Sequence, residues 1–350
     1  MNVRILITLI FFPVIAAAQG FAGLGTDAGN FAQVTRPADF TFPRDHLAHP
    51  DFRIEWWYLT ANLSDAQGRN YGVQWTLFRL AARPGGADAG WQNAQIWMGH
   101  AALTSPERHV VAERFARGGI GQAGVRTGPF EAWIDDWHMT GTGDGFGDLA
   151  ISATGEDFAY ALTARTDRPP VPQGDGGFSV KSERGTASYY YSQPFLEVTG
   201  TLTLEGREIA VTGEAWIDRE WSSQPLEADQ DGWDWFSLHL EGGAKLMAFR
   251  LRSATRAPYL SGTWIAPDGA ASPLAPGEIT LTPLRDAEVA GRWLPVVWRI
   301  EVPSRALAVD TEPVNAQSWM TTRFPYWEGP IRFTGTHDGR GYLEMTGYAP

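Results

Sequence analysis

Ile54-Glu55-Trp56-Trp57-Tyr58-Leu59-Thr60-Ala61-Asn62-Leu63, then Asp65-Ala66-Gln67-Gly68, then Tyr71-Gly72-Val73-Gln74-Trp75-Thr76-Leu77-Phe78-Arg79-Leu80: this stretch decides the fold class. A run rich in aromatic and aliphatic side chains leads into a polar turn ending on glycine, and a second such run leads out. Aromatic and β-branched residues fit the pleated, half-buried surface of a sheet, while Asp and Gly suit the turn. The stretch reads as two antiparallel strands.

The pattern continues in both directions. Gln95–Thr104, Phe130–Thr140, Leu149–Thr154, Ala159–Arg165, Ala187–Tyr191, Leu196–Glu205 and Arg207–Glu220 read as a meander of strands. Leu204–Ile209, turning at Glu205-Gly206-Arg207, carries a hairpin signal. Ser222–Asp231 is polar, contains Pro225 and several acids, and reads as an interdomain connection. Beyond it come Gly232–Glu241, Lys245–Arg252, Ser261–Ile265, Glu278–Pro283, Pro295–Val302, Gly329–Gly335 and Gly341–Gly347. No long segment has a helical period with caps; short helical turns are expected at Arg108–Phe115 and after Asn315. The reading is all-β: two antiparallel barrels or half-barrels packed together, over residues 38–222 and 223–350.

Residues 1–18 read as an export signal. Arg4 is followed by the apolar run Ile5–Ile15 and by Ala16-Ala17-Ala18 before Gln19. That is the order of a cleaved signal peptide, and the run is short for a bilayer span. A periplasmic or secreted protein is expected. The chain has no cysteine, so disulfides, thiolate metal sites and a Cys nucleophile are excluded, and the core must hold the fold. Net charge is −12, and Lys occurs only at Lys181 and Lys245. Without a basic stripe, nucleic acid and anionic membrane surfaces are poor partners; the acidic balance is read as solubility. The 16 Trp leave two readings open: cavities with flat apolar walls, or the ordinary filling of barrels.

Some motifs are set aside. Gly119-Ile120-Gly121-Gln122-Ala123-Gly124 has dinucleotide-type spacing, but Val125-Arg126-Thr127-Gly128-Pro129 cannot continue as the required helix, so it is a loop. No G-x-S-x-G elbow and no H-E-x-x-H helix occurs.

Three constellations could carry chemistry. Phe42–Asp51 gathers Asp45, His46, His49 and Asp51 just before Glu55. Glu55 shares a strand face with Trp57, where burial in a barrel would keep it protonated; the alternative is an Arg partner at a barrel end. His46 and His49 are two adjacent potential ligands, too few to assign a metal. In Gly213–Trp221, Glu214, Trp216, Asp218 and Glu220 share one face, with Arg219 on the other. Such a face meets solvent or arginines, or holds a carboxyl protonated. In Gly232–Leu240, Trp233, Trp235, Ser237 and His239 form an aromatic wall with one imidazole, which suits either a pocket or a core strand. Gln74 and His100 are polar residues within apolar strands. The candidates are therefore Glu55, Asp218 and His239 for catalysis, and Trp57, Gln74, His100, Trp216 and Trp235 for ligand binding. No metal or cofactor is expected.

Phe42–Tyr58, Gly213–Trp221, Gly232–Leu238, Tyr326-Trp327-Glu328-Gly329 and Gly341–Tyr348, in order over nearly the whole mature chain, resemble the AttH-like proteins. These are often called predicted secreted hydrolases and are related to carotenoid 1,2-hydratase. The resemblance implies two lipocalin-like domains and a hydrophobic, isoprenoid or lipid-like ligand. It also implies an alternative role, that of a non-catalytic accessory or chaperone of a lipoprotein-export-type ABC transporter in the membrane. Oligomeric state is left open. A hydratase would need an acid to protonate an alkene, aromatic faces to stabilise the cation, and a base for the attacking water. A Trp-lined barrel with Glu55, Asp218 or His239 inside would supply these.

Overall fold

The computed structural model describes residues 24, 28–86 and 88–348. The export segment read over residues 1–18 lies outside the described residues. Among these, two antiparallel sheets of thirteen and ten strands account for nearly all regular structure. Ile54–Ser64 lies near the middle of the first sheet, between Asn70–Ala81 and Arg207–Ser222. Gln95–Thr104 and His109–Arg117 extend one side; Ala187–Leu204, Phe158–Arg165 and four shorter strands extend the other. The first sheet curls into a nearly closed barrel and the second into a half-barrel, a lipocalin-like arrangement. Gln230–Leu240 and Gly339–Met345 are neighbours within the second sheet.

Local chemistry sets the registers. Leu204 pairs with Arg207 across a two-residue turn. Glu205 and Gly206 both have positive φ, 51° and 76°, which is the primed turn whose twist suits a hairpin. Ile54 pairs with Ser222, Tyr58 with Asp218 and Asn62 with Glu214. These pairings fix which side chains face which way, since a slip of one residue would exchange the two faces.

Alternation then builds three large apolar clusters. Trp57, Leu59, Ala61 and Leu63 enter the first barrel with Val73, Trp75, Ala215 and Ile217. Phe236, Leu238, Trp298, Trp327 and Leu343 fill the second. Part of each outer face is covered as well. Ile54, Tyr58 and Trp216 of the first sheet pack on Trp235, Phe249 and Tyr342 of the second. Burying each of these large side chains contributes roughly 1.5–3 kcal/mol. Gly72 lets the sheets close together: a Cβ there would lie 2.5 Å from Pro330 Cγ and 2.6 Å from the Tyr342 hydroxyl.

Two local expectations are corrected. Arg108–Phe115 forms no helical turn: from His109 on it is strand, and His109–Arg117 pairs along Gln95–Thr104 and buries Val110 and Ala116 on its inner face. After Asn315 the chain makes a side-chain-stabilised turn, with Asn315 Oδ1 accepting the Gln317 amide at 2.9 Å, and then a two-residue strand, Trp319–Met320. The glycine-rich segment at Gly119 leads into a short strand, Ala123–Arg126.

Candidate functional site

A cavity of about 130 Å³ opens between the two sheets, outside both barrels. Its walls are Trp56, Tyr58 and Phe78 from the first sheet and Trp233, Trp235 and Phe249 from the second. These side chains alternate with core residues on their own strands, so the same periodicity that fills each barrel supplies the wall. The sequence suggested a ligand space inside a barrel. That interior is occupied by side chains, and the polar groups gather between the sheets instead.

Asp218 lines this cavity and is buried. Tyr190 Oη donates to Oδ2 and Trp216 Nε1 to Oδ1, each at 2.6 Å; Ser192 also donates to Oδ1. Trp235 Nε1 donates to Tyr190 Oη at 3.1 Å. Burial pushes the Asp218 carboxyl up to about 7 against these three donors, and neighbouring Glu220 adds to the rise. Glu220 has its own counter-charge in Lys181 Nζ at 2.8 Å, and Ser188 donates to it.

A second polar group lies on the strands of the other sheet. Glu344 lines the cavity and accepts the Trp233 indole N–H. Burial lifts its carboxyl to about 7; the Trp233 bond opposes this, while Asp218 and Glu220 reinforce it. Glu328 pairs with Glu344 across the strands and is buried beneath the wall. Burial and then Glu344 hold it well above the usual carboxylate range. The Tyr58 and Tyr326 hydroxyls lie close enough to favour its anion, but neither Glu328 oxygen has a partner at full hydrogen-bond geometry. His100 lines the cavity, with Nδ1 3.0 Å from Tyr326 Oη and Nε2 3.1 Å from Glu113 Oε1; burial lowers its pKa.

The other candidates fall in two places. Trp216 packs behind Asp218, and Trp235 lines the wall. His239 lies between the sheets beyond Trp216, its ring edge-on to that indole at 5.9 Å. Its Nδ1 is 2.8 Å from Lys245 Nζ, which also binds Glu214 at 2.7 Å; burial and then Lys245 lower the imidazole to about 3, so it stays neutral. Gln74 is buried on the outer face of its strand and donates to Thr76.

Glu55 and Trp57 point into the first barrel and do not line the cavity. Burial would raise the Glu55 carboxyl, but the guanidiniums of Arg79 and Arg219 hold it well below the usual range. A neutral acid is not what this position provides. His46 and His49 diverge. His46 Nδ1 is 2.7 Å from Tyr191 Oη, whereas His49 stacks on Trp221 at 4.0 Å with Nδ1 3.1 Å from Glu55. Among the described residues, no group of three or more His, Cys, Asp or Glu is placed to hold a metal ion.

Sequence reading missed Glu328, Glu344, Tyr58, Tyr190 and Tyr326. The available signal was alternation: Tyr326 and Glu328 share one face of their strand, and Tyr342, Glu344 and Thr346 share one face of theirs.

The AttH-like family model matches residues 33–348. The solved structure of an AttH protein of Nitrosomonas europaea is similar to this chain at 34% identity with a TM-score of 0.81, covering 91% of this chain and 100% of that one. Kievitone hydratase of Nectria haematococca is similar at 16% identity and a TM-score of 0.67, covering 91% and 97% of the two chains. CghA, solved with Sch210972, is similar at 13% identity and a TM-score of 0.56, covering 85% and 89%. At these lower identities, the last two likenesses are of fold. No curated protein matches the chain.

Proposed function

The chain belongs to the AttH-like family, and from that premise we propose that it is an exported protein that binds a hydrophobic, isoprenoid or lipid-like molecule between its two sheets and acts on it by acid–base chemistry. The observation that carries this reading is Asp218: a buried carboxyl poised near neutrality, at the edge of a cavity walled by Trp56, Trp233 and Trp235. An acid works best when its pKa lies near the operating pH. Aromatic faces stabilise a cation formed beside them, by about 2 kcal/mol when water is excluded.

These parts suit addition of water to a carbon–carbon double bond, or its reverse. The Asp218 O–H breaks and its proton bonds to one alkene carbon. The cation at the other carbon lies against the indoles until water attacks it. A protein of the same fold named as a hydratase supports the reading.

Two measurements test it. Mass spectrometry of organic extracts of the purified protein should find a reproducible apolar compound. On that compound, the Asp218→Asn variant should bind with similar affinity and turn over at least about a hundredfold more slowly, the usual scale of a lost general acid. Extracts that are repeatedly empty, or full turnover by Asp218→Asn, would overturn the proposal.

A further inference from the structure

Three buried carboxyls, Asp218, Glu220 and Glu328, and the half-buried Glu344 face the space between the sheets or lie directly beneath its wall. Among the described side chains lining the cavity, Lys181 is the one Lys or Arg, and it is bound to Glu220. Asp218 has its three donors. Glu328 and Glu344 have no cation; their donors are the Trp233 indole at Glu344 and the nearby Tyr58 and Tyr326 hydroxyls at Glu328. They stand directly opposite each other on neighbouring antiparallel strands, where facing Cβ atoms are about 4.5–5.5 Å apart. Glu344 receives one indole N–H, while both oxygens of Glu328 and the hydroxyl of Tyr58 lack a formed hydrogen bond. The other titratable groups facing them come from every surrounding element. Tyr326 and Tyr342 lie on the same two strands, Tyr160 and Tyr58 come from the first sheet, and Asp218 and Glu220 stand across the cavity. His100 and Glu113 stand behind Tyr326. Two carboxylates cannot both ionise so close together in a dry site without a cation; one retains its proton.

We propose that Glu328 and Glu344 share one proton across the strand pair, and that this pair, reached from the cavity through Glu344, is the site's proton acceptor, with Asp218 its donor. The sharing stands on the strand geometry alone; the acceptor role rests on the function proposed above. The step balances. Asp218 gives its proton to the substrate carbon. The oxygen of water bonds to the cation, the water O–H breaks, and that proton bonds to Glu344. The pair thereby gains a second proton and loses its negative charge. A proton then passes back to Asp218, so that the net change is addition of water.

Infrared spectroscopy of the ligand-free protein tests the sharing, because a neutral carboxyl has a carbonyl stretch distinct from that of a carboxylate. Asp218→Asn provides the background in which the pair is followed with pH. In wild type, Glu344 should gain its proton near neutrality. Glu344→Gln should lower the titration of Glu328 by more than about one pH unit, whereas Glu328→Gln, which replaces a partner already neutral when Glu344 titrates, should leave Glu344 near neutrality. Independent titrations, or two carboxylates at neutral pH, would overturn the proposal. If a double variant fails to fold, unfolding of Asp218→Asn reads the pair's proton without that of Asp218: part of the fall in stability should remain as pH rises from the ordinary carboxyl range through neutrality. A flat profile there counts against the pair. Coupled titration with empty organic extracts would end the ligand reading and leave the pair; a bound apolar compound with uncoupled carboxyls would do the reverse.

Discussion

Glu55 at the end of the first barrel and Asp218 between the sheets are both buried among indoles, at 0% and 3% exposure, and their carboxyls are driven in opposite directions. Glu55 has a guanidinium on each side. Arg79 also donates to the carbonyls of His49 and Phe52 at 2.9 and 2.8 Å, and Arg219 lies 3.8 Å over the Trp57 ring. The His49 amide adds a bond to Glu55 at 2.8 Å. Asp218 has hydroxyl and indole donors but no cation. Burial is common to both, so what decides the ionisation is the charge of the partners. The compensated cluster ties the entry segment to the barrel. The uncompensated one holds a proton where a cavity opens, which is the pattern expected of a functional site.

The largest effect should come from breaking the compensated side. Arg219→Ala leaves Glu55 buried with one guanidinium, that of Arg79, and with His49. Removing one partner of a buried ion pair typically costs about 3–5 kcal/mol, and urea unfolding of this variant should show a loss of that size. A loss below about 1 kcal/mol would mean that solvent reaches Glu55, and the contrast with Asp218 would fail.

Next comes the pH dependence on the uncompensated side. A carboxyl raised on folding from 3.8 to about 7 binds its proton more tightly in the folded state. The benefit is full below pH 3.8 and is lost as pH rises through 7, a change of up to about 4 kcal/mol. Glu55 has the opposite sign: its contribution is present above the ordinary carboxyl value of 4.5 and is lost on acidification. Asp218→Asn should therefore lessen the fall in stability between pH 4 and 7, the remainder belonging to Glu328 and Glu344, and leave a protein more stable than wild type above pH 7. An unchanged slope would show that Asp218 ionises freely.

The sequence carried the faces but not their surroundings. Alternation placed Glu214, Trp216, Asp218 and Glu220 together and Arg219 opposite, and the register bears this out. The Glu205-Gly206 turn was legible because positive φ at both positions has a chemical signature. What no strand pattern reveals is that part of each outer face, including the Asp218 face, is covered by the other sheet, which depends on how two barrels dock. An outer face looks solvated until its partner is known, so Asp218 and Glu55 looked alike. Glu328 and Glu344 escaped for a related reason. They lie sixteen residues apart in the chain, and only the antiparallel register sets them face to face.

The smallest expected effect probes a third arrangement, intermediate between the two. Glu214 sits at the rim between the sheets, 35% exposed, bound to Lys245 at 2.7 Å and to Arg340 at 2.9 Å on the second sheet. Burial would raise its carboxyl, but His239, Lys245 and Arg340 bring it down to about 2. It has cations, as Glu55 does, but solvent screens them. Discounted for that screening, Glu214→Gln should cost about 1 kcal/mol at neutral pH. Because the folded pKa is depressed, the gap between variant and wild type should be present above pH 4.5 and close as pH falls toward 2. A cost as large as that of Arg219→Ala would mean that the sheets are joined by a dry ion pair, and solvent exposure would no longer separate the rim from the barrel end. A gap that persists at pH 2 would assign the loss to packing of Lys245 and His239 instead of to the charge on Glu214.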